Sequence, residues 1–372
     1  MSVQPKPPMP HPADLGSVGR RVLVVGSYCA PDSMESHVLD GLRELGSVAE
    51  FFAALPPFAG IHSVGKKIAS KLIGVALREP ERTFEGRLVR AVQEFAPSLV
   101  LVIMGNQVSP KTIERLRSHT QAPLVCWCQD QMTTIGRQYL LGAEYDAVFV
   151  KDRYLQDLFA RMIRSSAFHY LPEACNPKVH RTLTLSSEEQ AYYGCDVMIV
   201  GSLYYYRQEV LRLLDEFDLK IWGDVPDWLV YRLRQPHTRR VLYCDDKARA
   251  ARAAGVALNP LHFAEVDALN CRAFELAGCG AFQLCTYKPV LKEHFVPGSE
   301  IETFASVEEL IEKIRHYLRN PEEAGRIARR GQARAHREHA YVHRLLEIFR
   351  TLDGSASELA ASSRVASNAA AS

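Results

Sequence analysis

The sequence lacks both a strong excess of one charge and a long apolar run. Its 372 residues include 45 basic and 43 acidic side chains, and a net charge of +2 does not make nucleic acid the default partner. No run approaches the roughly 18 apolar residues that a membrane-spanning helix needs. Residues 1–20 are proline-rich without an apolar signal core, so export through a cleaved signal peptide is not expected.

Closely paired cysteines are also missing. None of the nine cysteines forms a C-x-x-C pair, and the neighbours Cys126 and Cys128 would point to opposite faces of a strand. Cysteines within or beside apolar runs behave as small hydrophobic residues. We therefore expect a reducing, cytoplasmic compartment.

Several catalytic and nucleotide-binding motifs do not occur. Gly26-Ser-Tyr-Cys-Ala-Pro follows the first predicted strand, where a dinucleotide-binding protein would have G-x-G-x-x-G. The sequence has no Walker-type loop, no G-x-S-x-G and no H-E-x-x-H. These absences remove the main support for a dehydrogenase, a P-loop ATPase, a serine hydrolase and a zinc protease.

What the sequence does contain is a repeated alternation of strands and helices. Continuous apolar runs predict strands buried on both faces, as in a parallel sheet covered by helices. These runs lie at 21–26, 98–104, 122–127 and 146–150, and again at 195–201, 219–223, 256–259 and 281–284. The pattern predicts two doubly wound, parallel-sheet α/β domains that face each other across a cleft.

The domain boundaries follow from the polar segments between these runs. We predict an N-terminal Rossmann-like domain over 20–178 and a C-terminal Rossmann-like domain over 179–352. The tails 1–19 and 353–372 contain too few apolar residues to bury a core, so we expect both to be disordered.

The most informative stretch runs from Asn259 to Phe282. After a strand that ends at Asn259, we expect a helix to begin near Ala268, with Asp267 as its N-cap. Glu275 lies in an apolar turn of that helix and would need a polar partner in a cleft, for which the vicinal hydroxyls of a ribose are suited. A plain cap for Asp267 and an exposed charge for Glu275 remain open alternatives.

This stretch belongs to a longer series of short motifs. They are Asp196-Val-Met-Ile-Val-Gly-Ser202 with Arg207, Leu258-Asn259, Asn270-x-Arg-x-Phe-Glu275, Ala277-x-x-Gly-Ala-Phe282, Phe295-x-x-Gly-x-Glu300 and His339-x-Tyr341. In this order they resemble the C-terminal domain of GT-B glycosyltransferases, in particular the CgeB-like (spore maturation protein) group of the glycosyl transferases group 1 family. The resemblance covers most of residues 196–345. It implies a GT-B fold and transfer of a sugar from a nucleotide sugar, with retention and without a metal or other cofactor.

The resemblance also implies roles for individual residues. Retaining relatives carry two acidic residues with seven residues between them, which Asp267 and Glu275 match with Asp in place of the usual first Glu. Glu275 would then bind the donor ribose, and Asp267 would be the catalytic candidate that contacts the transferred sugar. The donor-binding candidates are Gly201, Arg207, Asn259, Arg272 and Glu275.

The two arginines suit a leaving diphosphate. Arg207 opens a helix shortly after Gly201, and guanidinium groups together with helix amides offset negative charge on phosphate oxygens. Either Arg207 or Arg272 is alternatively a solvated surface charge. Lys247 could reach the same pocket, but we expect it on a surface turn, and we expect the preceding pair Asp245-Asp246 to be solvated.

The N-terminal domain is expected to bind the acceptor. Asn106 and Asp130 follow predicted strands, and Glu173 lies in a proline-containing segment near the hinge, as a similar motif does in relatives. His37 lies at the first loop–helix junction, where relatives often carry a functional histidine, and is our second catalytic candidate. A cap role for His37 and a hinge-packing role for Glu173 are the alternatives.

The sequence does not determine which molecule accepts the sugar. A glycan, a lipid-linked glycan, a small molecule and a protein are all candidate acceptors. Basic stretches at 66–90 and 313–350 make peripheral contact with the inner face of a membrane an alternative to solvated helices. The rival functions are a nucleotide-sugar isomerase or hydrolase on the same fold and a non-catalytic binding or assembly protein.

Overall fold

The computed structural model describes residues 19–54, 80–104, 108–130, 132, 138–223, 238 and 240–354. The predicted disordered tails, apart from the few residues next to the folded part, lie outside the described residues. So do Asn106 and most of the basic stretch 66–90. All nine cysteines are free thiols.

The chain divides into two compact units. Unit 1 contains Met1–Val150, Leu155–Leu171 and Val342–Ser372, and unit 2 contains Lys151–Tyr154 and Pro172–Tyr341. Our sequence-based boundaries differ from this division in three places. Residues 151–154 and 172–178 lie in unit 2, and residues 342–352 lie in unit 1. The first difference arises because the polar side chains of 151–153 are hydrogen-bonded within unit 2.

Unit 1 is built on a six-stranded parallel sheet in the order β2-β1-β3-β4-β5-β6. The strands are β1 (Arg21–Gly26), β2 (Val48–Ala53), β3 (Leu99–Ile103), β4 (Leu124–Cys128), β5 (Ala147–Val150) and β6 (Phe168–Tyr170). Strands β1, β3, β4 and β5 are the predicted ones, and almost all of their residues are buried. The edge strand β2 is largely exposed or half-buried, so it has no continuous apolar run to reveal it.

Helices alternate with the strands of unit 1. Those that the structure describes are α1 (Met34–Glu44), α2 (Pro80–Phe95), α3 (Pro110–Arg117), α4 (Tyr139–Gly142), α5 (Arg153–Met162, whose first two residues belong to unit 2) and α12 over residues 341–354, whose first residue belongs to unit 2. Helix α1 begins after Ser33, whose side chain accepts a hydrogen bond from the Ser36 amide. Leu88, Val100 and Leu124 are among the fully buried residues of the core.

Unit 2 contains a five-stranded parallel sheet in the order β11-β10-β9-β7-β8. The strands are β7 (Cys195–Val200), β8 (Leu219–Trp222), β9 (Ala254–Asn259), β10 (Gln283–Thr286) and β11 (Glu302–Phe304). The helices are α6 (Ser187–Tyr193), α7 (Tyr205–Leu211), α8 (Cys244–Ala253), α9 (Cys271–Gly278), α10 (Val307–Arg319) and α11 (Pro321–Glu338). The chain order reverses between β7 and β9, and ligands of such sheets bind at the carboxyl ends of the strands on either side of that reversal.

The start of α9 corrects one prediction. The helix begins at Cys271, and its N-cap is Asn270, whose side chain accepts a hydrogen bond from the Ala273 amide at 3.2 Å. Asp267 is therefore not the cap of this helix. Its carboxylate instead accepts a hydrogen bond from the amide of Val290, in the first turn of a 3₁₀ segment, at 3.2 Å.

Within the described part of the chain, we find no helix that combines the length and the apolar character needed to cross a membrane.

The two glycines of α11 give a test of packing in unit 2. A Cβ at Gly331 would overlap the carbonyl oxygen of Glu300, whereas a Cβ at Gly325 would meet only the flexible end of Arg329, at 3.3 Å. We expect Gly331→Ala to lower the free energy of unfolding by about 1–3 kcal/mol in urea denaturation, because backbone atoms must move. The matched control Gly325→Ala should leave stability unchanged or raise it by up to about 1 kcal/mol. Equal stability of the two variants would contradict this packing.

Candidate functional site

Arg207 is a large, charged and fully buried side chain near the carboxyl ends of β7 and β9. Its side chain is 1% exposed, and it donates to the carbonyl oxygens of Ser202 at 2.6 Å and Pro260 at 3.2 Å. It also donates to the Tyr204 hydroxyl at 3.3 Å. Burial, together with the nearby positive charge of Arg272, lowers the pKa of Arg207 to about 10. Hydrogen bonds to uncharged oxygens hold this cation, with Glu265 adding a longer-range attraction, and among the described residues its Nε has no hydrogen-bond partner.

Arg272 lies against the end of β7. Gly201, the residue after that strand, has a φ of +103°, and a Cβ there would lie 2.6 Å from Nε of Arg272. Only glycine accommodates both the backbone conformation and the close approach of the guanidinium group. In the part of the chain that the structure describes, Arg272 has neither a hydrogen bond nor an ion pair. The structure thus brings together three predicted donor-site residues, Gly201, Arg207 and Arg272.

Two neighbouring guanidinium groups that, within the described residues, have no hydrogen-bonded or ion-paired carboxylate are suited to an anion. Arg272 keeps its N–H donors for such a group, and a nearby negative charge would offset the repulsion that Arg272 exerts on the buried Arg207. Their position at the carboxyl ends of β7 and β9 is the position at which parallel sheets bind ligands. A diphosphate has the charge and the acceptor oxygens that this arrangement lacks.

Asn259 is the last residue of β9, and its side chain makes its hydrogen bonds inside the protein. Its side-chain amide donates to the side-chain oxygens of Asn270 and Gln283, both at 3.0 Å, and its oxygen accepts from Asn270 at 2.9 Å. Gln283 in turn donates to the carbonyl oxygen of Ala273 in α9. Asn259 therefore fixes the first turn of α9, from which Arg272 projects, and its side chain does not point to a ligand.

Glu275 is buried in α9 and does not lie alone. Its Oε2 accepts a hydrogen bond from Nζ of Lys247 at 3.0 Å, and its Oε1 lies 4.0 Å from Nε2 of His180. The surface position that we expected for Lys247 is wrong, because this residue lies in α8 and is 7% exposed. Lys247 shares a helix face with the buried Ala251, four residues later, which is the signal that could have located it.

The acidic pair before Lys247 lies on the surface of α8. Asp245 pairs with Arg181, and Asp246 pairs with Arg240 and Arg249, in partly exposed ion pairs. Both aspartates therefore form ion pairs with other arginines and not with Arg207 or Arg272.

A buried ionic triad lies beneath the loop 260–267 that follows β9. Nζ of Lys151 donates to Glu173 at 2.9 Å and to Glu265 at 2.7 Å, and all three side chains are buried. Although burial opposes the charge of Lys151, the two glutamates raise its pKa, so the ammonium stays charged. One cation cannot neutralise every carboxylate, and burial raises the pKa of Glu173 to about 7, with Glu265 and Glu275 adding to the effect.

The same loop is held by Asp152. Its carboxylate accepts hydrogen bonds from the amides of Val266 at 2.9 Å and Asp267 at 3.3 Å, and the amide of Arg153 donates to the Asp267 carbonyl. Asp267 is half-buried, and one of its carboxylate oxygens serves the Val290 amide. Asp267 therefore helps to hold the loop 260–267 in place.

Glu173 lies in unit 2 within the triad and not in the N-terminal domain, where we had placed it.

In unit 1, a carboxylate lies at the end of β1. Glu35 is 7% exposed and accepts hydrogen bonds from the backbone of Ser27 and Tyr28, and burial raises its pKa. A Cβ at Gly26 would lie 2.6 Å from Cγ of Glu35, so glycine makes room for this side chain. An acidic side chain occupies the amides that a phosphate would otherwise use, which disfavours anion binding at this strand end.

The remaining acceptor-side candidates lie in unit 1. His37 is 2% exposed, and its Nε2 lies 3.1 Å from Oδ1 of Asp32, the arrangement of a base oriented by a carboxylate. Asp130 is half-buried, and its carbonyl oxygen accepts from the Cys128 thiol. Asn106 lies outside the described residues. Sequence reasoning missed Lys151, Asp152 and Glu265, because each acts through a partner distant in sequence.

A known protein family matches the C-terminal part of the chain. This family is described as glycosyl transferase-like, and the match covers residues 207–350, a range that contains both Arg207 and Arg272. No curated protein matches this chain.

Solved structures match nearly the whole chain. Sucrose-phosphate synthase from Thermosynechococcus elongatus is 12% identical, with a TM-score of 0.62 over 90% of this chain and 100% of the other. Alr3699/HepE from Anabaena, solved with UDP-glucose, is 13% identical, with a TM-score of 0.60 over 90% and 100%. A protein described as a UDP-N-acetylglucosamine 2-epimerase from Listeria monocytogenes is 12% identical, with a TM-score of 0.52 over 92% and 98%. At these identities the likeness establishes the fold: the predicted pair of parallel-sheet α/β domains is confirmed, and the fold is GT-B.

The triad predicts a specific pH dependence of stability. The pKa of Glu173 in the folded protein, about 7, lies above its ordinary value of 4.5, so the folded state binds this proton more tightly than the unfolded state. The stabilisation from the proton on Glu173 is fully present below pH 4.5 and is lost as the pH rises through about 7. We expect the melting temperature of the wild type, relative to Glu173→Gln, to fall between about pH 5 and pH 7.5.

The matched control is Glu216→Gln, which removes a carboxylate of an exposed ion pair with Arg315. Its difference from the wild type should be constant over the same pH range. A wild-type-minus-Glu173→Gln difference that does not change with pH would show that Glu173 is ionised throughout.

Proposed function

We propose that this chain is a glycosyltransferase that binds the diphosphate of a nucleotide-sugar donor in unit 2. The observation that carries the proposal is the pair Arg207 and Arg272, two adjacent guanidinium groups that, within the described residues, have no ion pair with a carboxylate. The family match over residues 207–350 and the UDP-glucose bound to the Anabaena protein support this choice of ligand. Membership in the CgeB-like group stays a prediction from the sequence motifs.

The chemistry of transfer requires positive charge where the arginines lie. The bond between the anomeric carbon and the phosphate oxygen breaks, and its electron pair stays with the departing nucleoside diphosphate. Arg207 and Arg272 would offset that developing charge, and Arg207 is already held in place by three hydrogen bonds. The acceptor oxygen forms the new bond to the anomeric carbon and loses its proton.

The carboxylates of unit 2 fit subsidiary roles in this proposal. Glu275 would accept hydrogen bonds from the ribose hydroxyls while Lys247 holds one of its oxygens, because a carboxylate has lone pairs for more than two donors. Asp267 would contact the transferred sugar through the oxygen that does not bind the Val290 amide. His37, oriented by Asp32, is the proposed base on the acceptor side.

The finer features of the reaction remain proposals. Because two guanidinium groups supply the cationic charge, we expect turnover to persist in EDTA. Retention at the anomeric carbon, implied by the sequence resemblance, is tested by proton NMR of the first product formed. A cytoplasmic location, with contact at the inner face of a membrane as the alternative, is likewise an expectation. A nucleotide-sugar isomerase or hydrolase would consume the donor without any acceptor.

Arg272 provides the sharpest test of the donor site. Within the described residues Arg272 has no ion-paired carboxylate, and its charge disfavours that of Arg207, so Arg272→Ala should leave the melting temperature of the free protein unchanged or slightly higher. Its affinity for UDP, measured by calorimetry, should fall by about ten- to a hundredfold, as expected for loss of one or two hydrogen bonds to a charged ligand.

Arg315→Ala is the control, because it removes an exposed arginine of unit 2 that pairs with Glu216. This variant should bind UDP as the wild type does. Wild-type affinity for UDP in Arg272→Ala would refute the donor site. Binding of no nucleoside diphosphate by the folded wild type would favour a non-catalytic protein.

A further inference from the structure

A row of aromatic side chains begins at the proposed diphosphate site and ends in solvent. It consists of Tyr204, His262, Phe263 and Tyr206, which we name the aromatic platform. Tyr204 and His262 are half-buried, whereas Phe263 is 69% exposed and Tyr206 is 40% exposed. Exposed aromatic rings that lie side by side at the edge of a ligand site mark a surface that a ligand covers.

The rings of the platform support one another. The Arg207 guanidinium lies 4.7 Å from the centre of the Tyr204 ring, and the edge of Tyr204 meets His262 at a centroid distance of 4.5 Å. His262 stacks on Phe263 at 4.3 Å, and Tyr206 meets Phe263 edge-on at 6.2 Å. These contacts fix the rings in place before a ligand arrives, which lowers the entropy lost on binding.

The edge of the platform carries polar atoms without charge. Nδ1 of His262 accepts a hydrogen bond from the Ala264 amide at 3.0 Å, so the neutral ring carries its proton on Nε2 and can donate it. Within the residues that the structure describes, neither this Nε2 nor the Tyr206 hydroxyl has a hydrogen-bond partner. The platform therefore combines an apolar face with one donor and one hydroxyl.

We propose that the aromatic platform binds a neutral sugar ring of the acceptor, an inference that rests on the proposed function. The C–H face of a sugar ring is apolar, and its hydrogens carry slight positive charge that suits the negative face of an aromatic ring. Its hydroxyl groups can reach the His262 donor and the Tyr206 hydroxyl. We place the acceptor in the class of uncharged saccharides, because the outer end of the platform consists of the exposed rings of Phe263 and Tyr206.

The position of Phe263 in the row distinguishes the acceptor from the donor sugar. The donor sugar is bonded directly to the diphosphate, and the ring nearest to Arg207 is Tyr204. Phe263 follows after two further ring contacts, and it is the most exposed member of the platform. A saccharide over Phe263 and Tyr206 thus lies farther along the row from the diphosphate than the donor sugar, where there is room for an acceptor ring.

The test uses UDP-loaded full-length protein with cellobiose, maltotriose and chitobiose as probes. Saturation-transfer NMR should detect ring C–H protons of at least one probe with the wild type. Phe263→Ala should weaken that binding by about two- to tenfold, whereas the matched control Tyr287→Ala, which removes another exposed aromatic ring of unit 2, should not. Phe263→Leu keeps apolar volume without the ring and should behave as Phe263→Ala does.

The affinity for UDP separates the two proposals. We expect Phe263→Ala to bind UDP as tightly as the wild type. A loss of UDP affinity in this variant would mean that the platform stacks on the donor base, and it would overturn the inference. The same conclusion follows if no probe binds or if Phe263→Ala binds the probes unchanged. A wild type that binds a probe through Phe263 but never binds UDP would refute the proposed donor site while supporting the platform.

Discussion

The proposed site depends on two positive charges that lie near each other at the end of β7, one of them packed against a residue without a side chain. Arg207 is buried, Arg272 lies against Gly201, and the repulsion between the guanidinium groups contributes to the lowered pKa of Arg207. A fold selected for stability alone would pair these cations with carboxylates or place them in water. The backbone dipoles around Arg207 and the left-handed conformation of Gly201 keep them together, and a bound diphosphate would remove the repulsion.

Other contacts in unit 2 hold the segments around Arg207 and Arg272 in position. Asn259, Asn270 and Gln283 fix the first turn of α9 and so the origin of Arg272. Beneath the loop after β9, Lys151 and Asp152 hold the segment that carries His262, Phe263 and Asp267. The contrast with unit 1 is electrostatic: there the end of β1 carries the buried carboxylate of Glu35. The end of β1 thus carries a buried acidic side chain, whereas the ends of β7 and β9 carry Arg207 and Arg272, and this difference supports placing the proposed phosphate site in unit 2.

The sequence predicted those parts of the protein that depend on local pattern. Continuous apolar runs located eight of the eleven strands that the structure describes. The others, β2, β6 and β11, were missed because β2 is a half-exposed edge strand and β6 and β11 are three residues long. Gly201, Arg207 and Arg272 could be selected as candidates because short motifs carry them, and their donor-binding role stays a prediction. Lys151 and Glu265 could not be selected, since their ion pair joins residues 114 positions apart. The cap at Asp267 was misassigned because Asn270, another favourable cap, lies closer to the actual start of α9.

We propose that Arg207 and Arg272 together stabilise the donor diphosphate, and a crystal structure of the protein with UDP tests this. We expect phosphate oxygens within hydrogen-bonding distance of the Arg272 guanidinium, at the carboxyl ends of β7 and β9, with the Arg207 side chain in its present position. UDP bound elsewhere, or bound in unit 2 with its phosphates away from Arg272, would contradict it.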